Sequence, residues 1–178
     1  LLNFFLYINL PLLFTILAIS VWMSGSLPLP AWGASLMATR EETTFIHLVG
    51  YVVVLGLMVA TAGTNVGHEL THRKRNRFDM FMGNWLLALT WDCSFAIEHV
   101  YGHHKYVATS IDPATAKRGQ NPYHFILRAI FLNQRNAWII ENSRLIKKGL
   151  RPLSIQNRML IGYARSGILT GAAYLLAG

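Results

Sequence analysis

The sequence predicts an all-α integral membrane bundle of about three spans, with interfacial helices between them. Two observations carry the prediction. Long stretches hold no charged residue at all, and the positive charge is crowded into what remains. The chain is 53% hydrophobic and only 13% charged, where a soluble domain has about a quarter of its residues charged. Of its 16 lysines and arginines, 15 follow residue 72.

Residues 4–23, FFLYINLPLLFTILAISVWM, are uncharged over a length that crosses about 30 Å of hydrocarbon as a helix. There is no basic segment ahead of them and no A-x-A-like site near their end, so they read as a span and not a signal peptide. Pro11 is a candidate kink. A loop follows, SGSLPLPAWGAS. Residues 45–66 are a second uncharged span, and Gly56, Ala60, Gly63 and Gly67 near its end suit close helix packing. THRKRNRFD comes next, and the positive-inside rule places this end in the cytoplasm. Residues 80–97 are apolar but carry Asn84 and Asp92. A clean crossing there would send the strongly basic stretch 98–158 outside. A helix that lies in the interface, or dips in and returns, fits better. Residues 123–140 suit an interfacial amphipathic helix, and 159–177 a third span. The chain starts at Leu and stops inside the apolar run AAYLLAG. We therefore expect a piece of a longer polypeptide, incomplete at both ends, with one membrane-embedded domain over 1–178.

The net charge of +8 is explained by topology. There is no aromatic-basic recognition motif, and nucleic acid is not an expected partner. Cys93 stands alone, which excludes an internal disulfide and a cysteine-based metal site. The chemistry lies in the histidines. HELTH at 68–72 sets His68 and His72 four apart, one turn apart on a helix face, as two ligands of one metal require. The same letters fit the zinc-protease pattern H-E-x-x-H, with Glu69 as base. EHVYGHH at 98–104 repeats the spacing in His99 and His103, and His104 adjoins. One catalytic zinc takes three protein ligands and would leave clustered histidines without a role. Imidazole also suits iron, and two metal ions account for all five. His47 and His124 have no partner pattern and read as satisfied helix-boundary histidines.

HELTHRK, then EHVYGHHKYVAT, then DPATA resemble the membrane-bound alkane 1-monooxygenase (alkane omega-hydroxylase) family. That family lies within the histidine-rich membrane di-iron group, with the fatty acid desaturases and xylene monooxygenase. The match runs from about Asn65 to Ala116. Arg73 stands where lysine is usual, and the family's third box, H-x-x-H-H, is absent. The resemblance implies His68, His72, His99, His103 and His104 as iron ligands of a two-iron, non-haem centre. It implies O2-dependent hydroxylation of the terminal methyl of medium- or long-chain alkanes to primary alcohols. Electrons would come from rubredoxin and its rubredoxin reductase, in a bacterial inner membrane with the His boxes on the cytoplasmic side. The substrate would enter from membrane lipid. Basic segments 73–77 and 144–151 are candidate docking surfaces for the acidic rubredoxin. Asn65, Glu69, Glu98 and Asp112 are candidates for holding the ligands from behind, since a ligating imidazole commonly donates its other N–H to a carboxylate or carbonyl. A xylene-type hydroxylase or a fatty acid desaturase is the near alternative. A membrane zinc metallopeptidase and a non-catalytic membrane protein are the more distant ones.

Overall fold

A computed structural model describes residues 2–178, and among these every regular element is helical. The elements are α1 (Leu2–Ser24), α2 (Ala34–Glu41), α3 (Phe45–His72), α4 (Arg77–Ala88), α5 (95–106), α6 (Pro122–Lys147) and α7 (Arg158–Ala177). Asparagines start three of them. The side chains of Asn76, Asn121 and Asn157 accept the free N–H groups of the first turns of α4, α6 and α7, which otherwise lack partners. Pro122 follows Asn121 in the first turn, where its missing N–H costs nothing. His47 closes the cap of α3, with the Thr44 N–H donating to its Nδ1 at 3.1 Å. His124 lies against Gln120 at 3.2 Å. Both lone histidines are thus satisfied at helix starts.

α1, α3 and α7 are long and apolar enough to cross a membrane, as the uncharged stretches predict. α1 runs unbroken through Pro11. α3 continues past residue 66 to His72, so the first histidine box is the last turn of a span. α4 has 12 residues, about 18 Å of helix, too short to cross about 30 Å of hydrocarbon. It runs down beside α3, turns through residues 89–94 with Trp91 at a φ of 58°, and the chain returns as α5. The apolar stretch 80–97 is therefore a dip and a return, and the second histidine box comes back level with the first.

Small residues let α4 lie against α3. Cβ atoms at Gly67 and Gly83 would meet each other's carbonyl oxygens at 3.2 and 3.0 Å. At Gly83 the added atom would also press on Leu70 and Thr71, both at 3.0 Å. Leu70, Met82 and Leu86 form the core there, with Leu10 and Leu13 of α1. Polar ties fix the helix ends. Tyr7 donates to Asp79, Arg73 donates to Asn3 at 2.8 Å, and the Ser26 N–H bonds to Ala177 O at 2.6 Å at the opposite end of α1. Gly83→Val is expected to force α3 and α4 apart and lower stability by about 1–3 kcal/mol, the range for overpacking. The unfolding midpoint in detergent micelles measures it; an unchanged midpoint would refute the close approach.

α6 is longer than the expected 123–140 stretch. Its second half buries Ala137, Glu141 and Leu145. Its first half leaves Tyr123, Ile126, Leu127, Ile130 and Phe131 exposed.

Candidate metal centre

His68 and His72 project from the final turn of α3, and His99, His103 and His104 from the return helix α5. A π-helical turn over His99–His103 decides how the second group is presented. In a regular α-helix, residues 99 and 104 would diverge. The wider turn brings His104 back over His99, with ring centroids 4.5 Å apart. Such turns are rare in helices and recur at functional sites.

Four imidazoles converge. One ring nitrogen from each of His68, His72, His99 and His104 lies within 4.8 Å of the others. The Nε2 atoms of His68 and His72 are 2.6 Å apart, and those of His99 and His104 3.1 Å. Two lone pairs facing each other at such distances repel unless a proton or a cation stands between them. Burial, then repulsion from His68, His104, His103 and His72, lowers the His99 pKa to about 4. At neutral pH its ring is uncharged, the form that ligates. The donor set, all neutral-capable imidazole nitrogens, fits a metal such as iron or zinc.

His103 is held differently. Its ring lies parallel to His99, centroids 5.1 Å apart, and its Nδ1 meets Asp112 Oδ2 at 2.9 Å. Asp112 is buried and also accepts from Thr115 Oγ1 and the Ala114 N–H. Burial alone would raise its pKa, but the bonds from Thr115, Ala114 and His103 outweigh that and keep it below the usual range. A fixed carboxylate on Nδ1 leaves Nε2 as the free donor and orients the ring. Asp112→Ala is expected to weaken metal binding by about 10–100-fold, measured by competition with a chelator. Undiminished affinity would mean that His103 needs no support.

The other three candidate supports sit elsewhere. Glu69 accepts from Arg73 at 2.9 Å, and its side chain is 54% exposed, so it faces away from the rings. Asn65 is exposed. Glu98 is buried behind the second box, where burial raises its pKa. Its Oε1 has no hydrogen-bond partner, and the residue borders a cavity of about 290 Å³ with Ser94, His99, His103 and Asn133. Gly102 makes room for it, since a Cβ there would stand 2.6 Å from that oxygen. Two participants were not among the expected site residues. Phe95 stacks on His99 at 4.5 Å and 12° and meets His68 edge-on; Thr115 braces Asp112. The four-residue step from Phe95 to His99 was the available signal for the first. An aspartate followed three residues on by threonine, a local-turn pattern, was the signal for the second.

A family model described as fatty acid desaturase matches residues 43–178. The chain belongs to this family. Among curated proteins, it is 35% identical over 135 residues to alkane 1-monooxygenase 1 of Pseudomonas aeruginosa, covering 76% of this chain and 35% of that protein. It is 34% identical over 154 residues to alkane 1-monooxygenase of Pseudomonas putida, covering 86% and 34%. It is 30% identical over 133 residues to the xylene/toluene monooxygenase hydroxylase component of Pseudomonas putida, covering 75% and 36%. The chain spans about a third of the length of these relatives. Family and spans together make this a membrane protein with a metal-capable histidine cluster.

Proposed function

We propose that this chain carries part of a non-haem di-iron centre of a membrane oxidoreductase that hydroxylates the terminal methyl of medium- or long-chain alkanes. One observation carries the reading: four imidazoles from two helices meet within 4.8 Å, with a fifth oriented beside them by a buried aspartate. The relatives named alkane 1-monooxygenase support the substrate class.

His68, His72, His99 and His104 would hold one ion, and His103 would offer Nε2 to a second, with further ligands supplied from outside these residues. Bound iron would supply O2-dependent oxidation of an unactivated C–H bond, which no side chain can perform. The chain's own work is positioning. Asp112 and Thr115 fix the His103 ring, Phe95 shields one face of His99 from water, and the π-turn aims His104. Rubredoxin, recharged by its reductase, would deliver electrons at the basic segments 73–77 and 144–151. The excess of basic residues at this end supports a cytoplasmic side for the histidines, and the bacterial relatives support an inner membrane.

A zinc peptidase built on HELTH would need Glu69 beside the metal as base, and Glu69 instead faces Arg73. The deciding experiment takes the complete gene product that contains this chain, purified anaerobically from membranes. About two irons per chain, lost in His103→Ala, followed by conversion of alkane to primary alcohol with rubredoxin, is the expected result. One zinc and no iron would overturn it. Oxidation of an aromatic methyl or a fatty acyl chain, but not of an alkane, would keep the metal centre and reassign the substrate.

A further inference from the structure

Arg165 lies within the span α7 and has no part in the histidine site. It sits seven residues past Arg158, about 10 Å along the helix. A guanidinium stays charged under all ordinary conditions. Among the described residues Arg165 has neither an ion pair nor a side-chain hydrogen bond; its Cζ lies over the Trp85 ring, 5.9 Å from the centroid. Arginine inside a span is costly unless a counter-charge or water reaches it, and where it occurs it marks function. Its Cα–Cβ bond leans toward the start of α7, so the charge reaches back toward the basic boundary.

Beside it an apolar cleft of about 220 Å³ opens between three helices. Phe14 and Ala18 of α1, Leu89 after α4, and Leu169 and Ala173 of α7 line it, with Ser166 next to Arg165. Phe14 also packs edge-on against Trp85, centroids 6.4 Å apart. The cation is therefore linked to the cleft through Trp85 and Phe14, with the cation at the boundary side and the cleft deeper. This is the layout of an amphiphile: anionic at one end, hydrocarbon at the other. A neutral alkane has no use for the cation, and a water-soluble anion none for the cleft.

We propose that α1, α4 and α7 bind one anionic phospholipid, with its phosphate on Arg165 and an acyl chain in the cleft. A bilayer phospholipid brings its phosphate to the height a snorkelling arginine reaches, where a bidentate Arg–phosphate contact holds it, and an anionic headgroup, lacking the ammonium that would repel the guanidinium, is favoured over a zwitterionic one.

The test uses the complete gene product in nanodiscs of phosphatidylcholine doped with phosphatidylglycerol, with retained lipid identified by native mass spectrometry. About one phosphatidylglycerol per chain is expected, retained over phosphatidylcholine. Arg165→Gln should cut retention about tenfold, the loss of a charge-assisted bond; Arg165→Lys should keep most of it. Ala173→Phe fills the cleft without touching the charge and should also release the lipid, which keeps the proposal testable if Arg165→Gln fails to insert. Equal retention of both lipids, full retention in Arg165→Gln or in Ala173→Phe, or a co-purifying free fatty acid in place of the phospholipid would each overturn it.

Discussion

His99→Ala is expected to remove the metal-dependent part of this protein's stability and, in the complete gene product, the proposed hydroxylase activity, while changing the metal-free protein far less. His99 is the ring that the others surround. Its centroid lies 4.5 Å from His68, 5.5 Å from His72, 5.1 Å from His103 and 4.5 Å from His104. Removing it takes one of the four converging donors and the surface on which Phe95 stacks. A ligand that binds only the folded state stabilises it by about 3–4 kcal/mol at 100 to 1,000 times its dissociation constant. That increment should appear on adding iron(II) anaerobically to the parent protein and vanish in His99→Ala. The paired control is His124→Ala, whose ring touches Gln120 and is not one of the converging four, and which should keep the whole increment. Melting with and without metal separates a ligand from a packing residue. If His99→Ala melts lower but still gains as much from iron as the parent, the convergence of the four rings does not bind the metal.

The sequence carried the spans and both histidine boxes because each rests on a local rule. An uncharged run of about twenty residues has one stable solution in hydrocarbon, and histidines four apart share a helix face whatever surrounds them. The turn back over 80–97 was also legible, from charge alone, since a crossing would have parted the ten basic residues of 98–158 from the basic run 73–77, against the positive-inside rule. What could not be read were the features that depend on neighbours distant in sequence. His104 joins the cluster through a π-turn, which no residue pattern announces. Glu69 adjoins a ligand in sequence yet points away, because Arg73 one turn later competes for it with two hydrogen bonds. Asp112 was recognisable only as a nearby carboxylate; the fold brings it onto His103 by curling residues 107–115, where Thr115 Oγ1 accepts the Ala108 N–H and itself donates to Asp112. For Glu141 the local step to Arg144, three residues on along α6, says nothing of burial, and its other partner, Arg158, lies on another helix.

Glu141→Ala is expected to be the most destabilising single change outside the metal site. Glu141 is fully buried on α6 and meets two arginines, Arg144 at 2.6 Å and Arg158 at 2.7 Å. It also accepts the Arg158 N–H at 2.7 Å, so one carboxylate closes the start of α7 while Asn157 caps the next two N–H groups. Removing one partner of a buried pair strands the others, at a cost of about 3–5 kcal/mol. The consequence reaches the metal site. The Arg158 guanidinium lies over the Tyr101 ring at 5.4 Å, and the Lys74 ammonium at 4.3 Å; Tyr101 sits between His99 and His103. Releasing Arg158 should therefore loosen α5 as well as α7, and metal affinity should fall with stability. The pH dependence identifies the cause. Burial opposes the charge on Glu141, but the bonds from Arg144 and Arg158 prevail and lower its pKa from 4.5 to about 2. A group lowered on folding stabilises fully above its unfolded pKa and loses that contribution as pH falls through the folded one. The parent should thus lose this stabilisation as the pH falls from about 4.5 to about 2, and Glu141→Gln, which keeps the volume without the charge, should lack that part of the slope. Unfolding midpoints across this window would decide it, and parallel curves for parent and Glu141→Gln would show that the carboxylate charge does not hold α6 to α7.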